Sequence, residues 1–460
     1  MRQVAAILLV AAALGISGAN VARGRYAMGD FKAFYCSARV VLQHGDPYAA
    51  APMARCERQP ARYPLYVTQP GEVVPAPLPG YAIALFVPFA LLPFDIAAFV
   101  WIVLLAAAFA VAVALFAKTG AGDGWAIAVA LALPMVAVCF PVGELPPIAL
   151  LGIALAAWSA RYGRPWALAL GVAFALVEPQ IGAAVLLAAV ALGRRFAIPA
   201  IAVAAILGLV SLTLLGVAGN VAYFRVVLPA HLLSELPSVL QYSLSWMLYR
   251  IGVAAGAAIF AGRLCWIVML GVTVWFARSD AARARPEIAF LAAPAFAVVG
   301  GPFLHLDQIA LAVPAAAWLA TNALRPSWLR TAALVALAVP VLYVFSVIRL
   351  VALAPFVGAW LAATSYASAI VGIRTALLTI VVLSLIGGVA ILTGTGSMHA
   401  PPVQTLPATL PQAAWAQYIG KHFIMTSWSL WLVKAPIWLA IAATAAGLVS
   451  LARAPKGAAA

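Results

Sequence analysis

The sequence predicts an all-α polytopic integral membrane protein, a bundle of about 11–14 transmembrane helices with extracytoplasmic loop helices. The chain of 460 residues is 66% hydrophobic and only 8% charged, whereas a soluble domain carries roughly 25% charged residues. Its mean hydropathy is +1.08. Apolar runs recur along the whole chain, and about 20 apolar residues suffice for one crossing. The solvent around most of this chain is therefore lipid.

The apolar runs are cut by charges or by proline and glycine. The first follows Arg2 and is interpreted as a retained helix, the alternative being a signal peptide. Several runs are shorter than a full crossing, which indicates half-length helices that need protein or a water-filled cavity around their free backbone groups. The runs lie at 4–19, 81–93, 95–116, 125–141, 146–159, 166–177, 180–192, 197–217, 252–276, 287–303, 308–322, 331–350, 353–372, 375–394 and 430–451.

Basic residues predict the orientation. Tight turns with Lys118, Arg161, Arg195, Arg285 and their basic neighbours alternate with the apolar runs, and the positive-inside rule puts such turns in the cytoplasm. The other side then holds three outer loops. We treat residues 1–460 as a single transmembrane domain, and the lack of an internal repeat disfavours a transporter built from paired halves. The outer loops are 20–80, 218–251 and 395–429.

The net charge of +15 has two candidate partners, nucleic acid and anionic lipid. The bases occupy short loops rather than one soluble face, so we expect membrane lipids as partners and no nucleic acid. Cys36 and Cys56 share the first outer loop, where oxidation is permitted, so we predict a disulfide between them, the alternative being two independent buried thiols. Cys139 and Cys265 lie in apolar runs as small core residues. No cysteine or histidine spacing indicates a metal site.

The stretch "MGDFKAFYCSAR" (28–39) places an acidic residue, Asp30, at a membrane edge. Phe31–Gln43 is predicted as a helix that stops where Gly45 and Pro47 follow. Two interpretations of Asp30 stay open. It either caps the free N–H groups at the helix start, or it acts as a general base toward a hydroxyl.

The order "GDFKAFYCSARVVLQHGDPY" (29–48) resembles the opening signature of glycosyltransferase family 87. Later segments resemble that family in the same order, namely "PLPGYAIALFVPFALLPF" (77–94), "VEPQ" (177–180), "QYSLSWMLYR" (241–250) and "GPFLHLDQIALAVP" (301–314). The resemblance implies a C-type glycosyltransferase fold. It also implies inverting transfer of a sugar, mannose in characterised members, from a polyprenyl-phosphate donor to a lipid-linked or glycan acceptor on the extracytoplasmic side. In that reaction the base corresponds to Asp30.

Other polar residues are candidates for substrate contacts. We expect the donor phosphate to be bound by His305, Lys32, Arg39, Arg225 and Arg250, and the substrate cavity to be lined by Tyr35, Glu144, Glu178, Asp307 and Gln308. The alternatives are a polar turn at His305, lipid-facing bases, and an interfacial position for Glu144. No cofactor and no metal are expected, because polyprenyl phosphate leaves with its existing negative charge. Two departures from the family lie near the presumed sugar cavity and concern the sugar: its Tyr-Pro-Pro is here "PAPLP" (75–79), and its Gly-Gln-x-Asn is here "GELP" (143–146). A third departure is Glu178 in place of the lysine of Lys-Pro-Gln.

We expect a multi-pass protein of the bacterial inner (plasma) membrane, with the active site facing the periplasm or the exterior. The rival function is a transporter or flippase of a lipid-linked sugar or small solute that uses Glu144 and Glu178. A third candidate function is a non-catalytic scaffold of an envelope-assembly complex, in which Asp30 is only a helix cap. In the last outer loop, an amphipathic helix either anchors on the membrane or stacks on the acceptor; its residues are Trp415, Tyr418, Lys421, His422 and Trp428.

Overall fold

The computed structural model of the protein describes residues 27–62, 65–121, 124–322, 353–392, 406–422 and 429–453. Within these ranges the regular structure is helical, apart from an isolated antiparallel bridge between Gln241 and His305. The predicted all-α fold is confirmed. The predicted helix at 4–19, the run at 331–350 and Trp428 lie outside the described residues.

The α-helices are Gly29–Leu42, Ala50–Glu57, Gly80–Ala90, Phe94–Thr119, Gly124–Pro134, Phe140–Val142, Pro146–Arg161, Pro165–Ala175, Pro179–Ala191, Arg194–Ala222, Leu228–Glu235, Leu244–Arg250, Ala255–Ala277, Asp280–Ala284, Pro286–Gly300, Val313–Asn322, Leu353–Val371, Ile373–Leu392, Pro411–His422 and Ser429–Arg453. Turns of π-helix at Met135–Cys139 and Tyr223–Val227 and a 3-10 helix at Gln308–Ala312 interrupt them.

Among the described residues, four helices are long and apolar enough to cross a membrane: Phe94–Thr119, Arg194–Glu235, Ala255–Ala277 and Lys434–Arg453. Their outer surfaces are apolar, as the large exposed side chains of Phe99, Val217 and Phe260 illustrate. Exposing such surface to water is unfavourable by about 25 cal/mol per Å², so these faces lie against lipid. The chain is therefore a polytopic membrane protein, and the number of about 11–14 crossings stays a prediction.

Several apolar helices are too short to span a bilayer. Gly80–Ala90, Pro165–Ala175 and Pro179–Ala191 contain 11, 11 and 13 residues, which at about 1.5 Å per residue covers little more than half of the hydrocarbon core. Two of them begin with proline. Proline lacks a backbone N–H, and at the first helical position that N–H would have no partner within the helix in any case. The predicted half-length helices are confirmed, and their ends bring polar residues into the interior.

Small residues hold two of the helices together. A Cβ added at Gly152 would lie 2.6 Å from the Gly171 carbonyl oxygen, and one at Gly171 would lie 2.8 Å from the Gly152 carbonyl oxygen. The backbones of Pro146–Arg161 and Pro165–Ala175 therefore touch, as is common where small residues line membrane helix contacts. This contact fixes the end of the second helix at Ala175, shortly before Glu178.

Basic turns meet at one end of the bundle. The Arg161 guanidinium donates to the Thr119 carbonyl at 2.5 Å and lies 3.6 Å from the Glu287 carboxylate. Arg195 donates to the Gly163 carbonyl, and Asn322 to that of Gly120 at 3.4 Å. These are turns that the sequence assigns to the cytoplasm, and they gather as one group.

The three outer loops meet one another in a separate group of contacts. The Ala50 amide donates to the Thr409 carbonyl at 2.8 Å, and the rings of Tyr48 and Tyr223 lie 6.0 Å apart. This grouping agrees with the predicted alternation along the chain. Which end faces the cytoplasm stays a prediction.

The first outer loop is held together by a disulfide and by a buried hydrogen bond. The disulfide expected between Cys36 and Cys56 is present, with Cα atoms 5.6 Å apart. The Glu57 carboxylate accepts a hydrogen bond from the Val74 amide at 3.0 Å. Burial raises the pKa of Glu57 to about 8. Together these contacts hold the Gly29–Leu42 helix against the remainder of the loop.

Replacing both Cys36 and Cys56 with serine should lower the thermal unfolding midpoint in detergent by several degrees. The disulfide joins residues 20 positions apart, and closing a loop of that size stabilises a fold by about 3 kcal/mol. Reductant should lower the wild-type midpoint similarly and leave the double variant unchanged. Cys265→Ser, which alters a free half-buried thiol, is the matched control and should unfold like the wild type. Equal midpoints for all three proteins would mean that the disulfide does not stabilise the loop.

Candidate active site

Asp30 lies in the first turn of the Gly29–Leu42 helix and is half-buried. The N-cap position is held by Met28, whose φ of 60° is left-handed and whose amide donates to the Pro141 carbonyl at 2.6 Å. Asp30 is therefore not at the N-cap position of this helix. Its carboxylate still lies where the helix dipole favours negative charge, and its side chain retains some access to solvent.

The turn at Gly143 brings Glu144 beside this helix start. Gly143 has a φ of 83°, and a Cβ there would lie 2.5 Å from the Cβ of Phe31. The Trp101 indole also donates to the Gly143 carbonyl at 2.9 Å. Burial raises the pKa of half-buried Glu144, and the charges of Asp30 and Asp307 raise it further. Asp30 and Asp307 thus each lie within electrostatic reach of Glu144.

Because only glycine fits that turn, Gly143→Ala should lower both stability and activity. The φ of 83° costs a non-glycine residue roughly 1–2 kcal/mol, and the added methyl must displace Phe31. We expect a lower unfolding midpoint and a loss of activity larger than the loss of folded protein, since the start of the Asp30 helix moves. Gly71 also has a positive φ, but an added Cβ there would have no neighbour within 4 Å. Gly71→Ala therefore measures the effect of backbone strain alone, without the displacement of a neighbouring side chain. Wild-type activity in the Gly143 variant would contradict this account.

A second group of polar residues centres on Gln308. Its Nε2 donates to the Glu178 carboxylate at 2.8 Å, while its Oε1 accepts from the Gln180 amide at 3.0 Å and from the His305 backbone N–H at 3.0 Å. Glu178 and Gln308 are both buried. Gln308 therefore couples the start of the Pro179–Ala191 helix to the His305 turn.

His305 is itself held by a carboxylate that the sequence analysis did not single out. Its Nε2 lies 3.2 Å from Oε2 of Glu235. Oε1 of Glu235 accepts a hydrogen bond from the Trp415 indole. Burial alone lowers the pKa of His305, but the hydrogen bond and the charge of Glu235 raise it to about 9. His305 is therefore an imidazolium at neutral pH.

We call Asp30, Glu144, Glu178, Asp307 and His305 the polar cluster. Packing connects its parts, because Phe140–Val142 contacts the Asp30 helix and the Gln308–Ala312 helix contacts Pro146–Arg161. Asp30, Glu144 and His305 are half-buried, whereas Glu178 and Asp307 are buried. The polar cluster therefore combines four carboxyl groups with one imidazole in neighbouring helices and turns.

Three of the expected substrate contacts turn away from Asp30. At about 100° per residue, Lys32, Tyr35 and Arg39 lie roughly 140–200° around the helix from it. The Lys32 ammonium donates to the Gln59 and Tyr66 carbonyls at 2.9 and 3.1 Å, and burial lowers its pKa to about 8. These contacts give Lys32 a role in packing the first loop.

Tyr35 and Arg39 are hydrogen-bonded to each other on the face of the helix that points away from Asp30. Tyr35 donates its hydroxyl hydrogen to the Leu92 carbonyl at 2.9 Å, and its oxygen accepts from Arg39 at 2.9 Å. Arg39 borders an open pocket of about 460 Å³ with Gln43 and the turn at Leu91. This pocket lies apart from the polar cluster on the far face of the helix.

The remaining expected bases differ in exposure. Arg225 is exposed on the π-helical turn Tyr223–Val227. Arg250 is buried with its guanidinium 5.8 Å from the centre of the Trp246 ring. Lys434, fully buried, approaches the same ring at 3.5 Å and donates to the Gln241 carbonyl. Gln241 in turn accepts from the Leu304 amide at 3.1 Å, so Lys434 is linked to the His305 turn through Gln241.

Four residues of this region were not predicted from the sequence, and a fifth, Trp415, was expected elsewhere; the four are Glu235, Gln180, Gln241 and Lys434. Lys434 and Glu235 carried a usable signal, because a charge in or at the end of an apolar helix marks a functional candidate. Trp415 was expected at a membrane surface, but it is buried against Glu235. Its helix, Pro411–His422, is therefore part of the site's wall at this residue.

Comparison with known proteins gives a family for the central part of the chain. Residues 79–304, about half of the sequence, match the family model described as Glycosyltransferase family 87. The matched segment contains Glu144, Glu178 and Glu235 and ends directly before His305. Comparison with curated proteins and with solved structures gave no significant match.

Proposed function

Because the chain belongs to glycosyltransferase family 87, and is thus a membrane glycosyltransferase, we propose that it transfers mannose from a polyprenyl-phosphate donor to a lipid-linked or glycan acceptor. Transfer inverts the anomeric carbon and takes place on the extracytoplasmic face of the bacterial inner membrane. No divalent metal and no cofactor take part. The observation that carries the proposal is the half-buried Asp30 in one polar cluster with an imidazolium at His305.

In the reaction, the Asp30 carboxylate accepts the proton of the acceptor hydroxyl. The hydroxyl oxygen forms a bond to the anomeric carbon of the sugar while the bond from that carbon to the phosphate oxygen breaks. The electron pair of the broken bond goes to the phosphate, which leaves on its prenyl chain. A positioned base of this kind contributes about 10²–10⁴ in rate. Inversion requires one base and no second, nucleophilic carboxylate, and the proposal assigns that single role to Asp30.

His305 serves the leaving group. An imidazolium N–H donates to a phosphate oxygen and stabilises the second negative charge that develops as the bond to carbon breaks. Arg250, buried beside Trp246, is a second candidate for binding the phosphate. Lys32 and Arg39 are left out of this role because they lie on the far face of their helix. Arg225 is left out because it is exposed.

The sugar is held by the remaining members of the polar cluster. Glu144, Glu178 and Asp307 offer carboxyl oxygens that accept hydrogen bonds from sugar hydroxyls, and Gln308 fixes Glu178 at 2.8 Å. The prenyl chain lies along the apolar helix surfaces, where it remains in a lipid-like environment. Membrane lipids surround these helices.

The test uses the purified full-length protein in liposomes, with radiolabelled polyprenyl-phosphate mannose and a bacterial lipid extract as acceptor. Label should move from the donor to a new lipid or glycan product, and a chelator should leave the rate unchanged. Polyprenyl-phosphate glucose in a parallel arm distinguishes the sugars. If label crosses the bilayer without leaving the prenyl phosphate, the protein is a flippase and the proposal is wrong.

A further inference from the structure

Glu235 divides its two carboxylate oxygens between different segments of the chain. It ends the Leu228–Glu235 helix and is 1% exposed. Oε2 lies 3.2 Å from Nε2 of His305, and Oε1 accepts from the indole of Trp415. The partners are 70 and 180 residues away in sequence. One buried carboxylate thus joins the middle of the chain to the histidine turn and to the Pro411–His422 helix.

The hydrogen bond from the Trp415 indole fixes the direction of the contact between Glu235 and His305. An indole N–H is only a donor, so Oε1 of Glu235 must accept and the carboxylate plane cannot turn freely. Oε2 is thereby held toward His305. A hydrogen bond at one ring nitrogen of histidine determines which nitrogen is left for other partners.

We propose that Glu235 is the positioning residue of this site, binding His305 through Nε2 so that the protonated ring turns its Nδ1–H toward the donor phosphate. This inference rests on the proposed function. Glu235 itself does not touch the substrate. It acts through His305, and Trp415 acts through Glu235.

The carboxylates around His305 all raise its pKa, whereas burial opposes them. Asp307 in the same turn and Glu144 in the Gly143 turn raise its pKa as Glu235 does, though less. His231, four residues before Glu235, packs its ring 4.9 Å from that of Phe303. Since the pKa of His305 is raised, its ion pair with Glu235 is fully present below pH 6.5 and is lost as the pH rises through about 9.

Glu235→Gln should lower kcat by about 10²-fold, with a smaller change in KM, because one donor to the developing charge is weakened. The amide of glutamine can still accept from Trp415 but cannot hold a positive charge on His305. The alkaline limb of the rate profile, near pH 9 in the wild type, should move below neutrality, since burial without Glu235 lowers the pKa of His305. Purely structural damage would reduce the folded protein without moving that limb.

Three further variants separate the roles. Glu235→Asp keeps the charge and should recover more activity than the glutamine variant. Trp415→Phe removes the donor to Oε1 and should lower kcat several-fold. Glu57→Gln changes another buried glutamate, which accepts from Val74 and does not contact His305, so its alkaline limb should stay in place.

A measurement without substrate separates this inference from the proposed function. In ¹⁵N-histidine-labelled protein, the His305 signal, identified by its absence in His305→Asn, should titrate near pH 9 in the wild type and below pH 7 in Glu235→Gln. The five histidines of the chain make this assignment practical. Equal titration in both proteins overturns the inference, whether or not sugar transfer is observed. Shifted titration with no transfer by the wild type overturns only the proposed function.

Discussion

Asp30→Asn should remove nearly all sugar transfer, a fall of about 10²–10⁴-fold, while leaving the protein folded and able to bind the donor. The amide of asparagine cannot accept the proton of the acceptor hydroxyl. It fits the same space, and Met28 rather than Asp30 holds the N-cap position. The loss in stability should therefore be limited to the helix-dipole contribution of about 0.3–1 kcal/mol. Transfer rates, donor binding and unfolding midpoints of both proteins in liposomes or detergent measure these effects.

Asp95→Asn is the matched control. Asp95 also lies in the first turn of a helix, Phe94–Thr119, and it pairs at the surface with Arg62 at 3.5 Å. This variant should lose a similar dipole contribution and keep its transfer rate. If Asp30→Asn transfers sugar at the wild-type rate with the donor bound, Asp30 is not the base, and Glu144 is the next candidate.

His305→Asn should lower kcat by about 10²–10³-fold, the effect of removing one donor from a developing oxyanion. Asparagine can still donate one hydrogen bond but carries no charge, so the leaving phosphate is less stabilised. The remaining activity should no longer fall as the pH rises through 9, because the group that titrates there is gone. Single-turnover rates across pH 6–10 give both quantities.

His44→Asn provides the comparison. His44 is exposed at the end of the Gly29–Leu42 helix with a φ of 56°, a conformation that asparagine adopts readily. Its kcat and pH profile should match the wild type. A His305→Asn protein with unchanged kcat would remove histidine from the proposed chemistry and leave Arg250 to bind the phosphate.

Local signals in the sequence predicted much of the fold. The helix after Asp30 was expected at Phe31–Gln43 and is Gly29–Leu42. Its start is earlier because Met28 adopts a left-handed conformation, which residue type alone does not indicate. The Cys36–Cys56 disulfide followed from a shared loop in an oxidising compartment. Proline and short run lengths were enough to predict the half-length helices.

The site was predicted less well, because its contacts join residues far apart in the chain. No local pattern pairs Glu235 with His305 or Trp415, whereas the apolar run around each of them was visible. The opposite orientation of Lys32, Tyr35 and Arg39 relative to Asp30 could have been predicted from helical periodicity alone. Lys32 and Arg39 were selected for their positive charge, whereas the helical period determines which side of the helix they face.

The contacts of Glu235 also set the order in which the protein can become active during its synthesis. Domains and their parts begin to fold as the chain emerges from the ribosome, so Asp30 and its disulfide-linked loop are complete early. His305 gains the full support of Glu235 only after Trp415 has been made, because Trp415 orients Glu235. Chains that end before Trp415 would thus be inserted in the bilayer with His305 less well oriented, and sugar transfer would reach its full rate only in nearly full-length molecules.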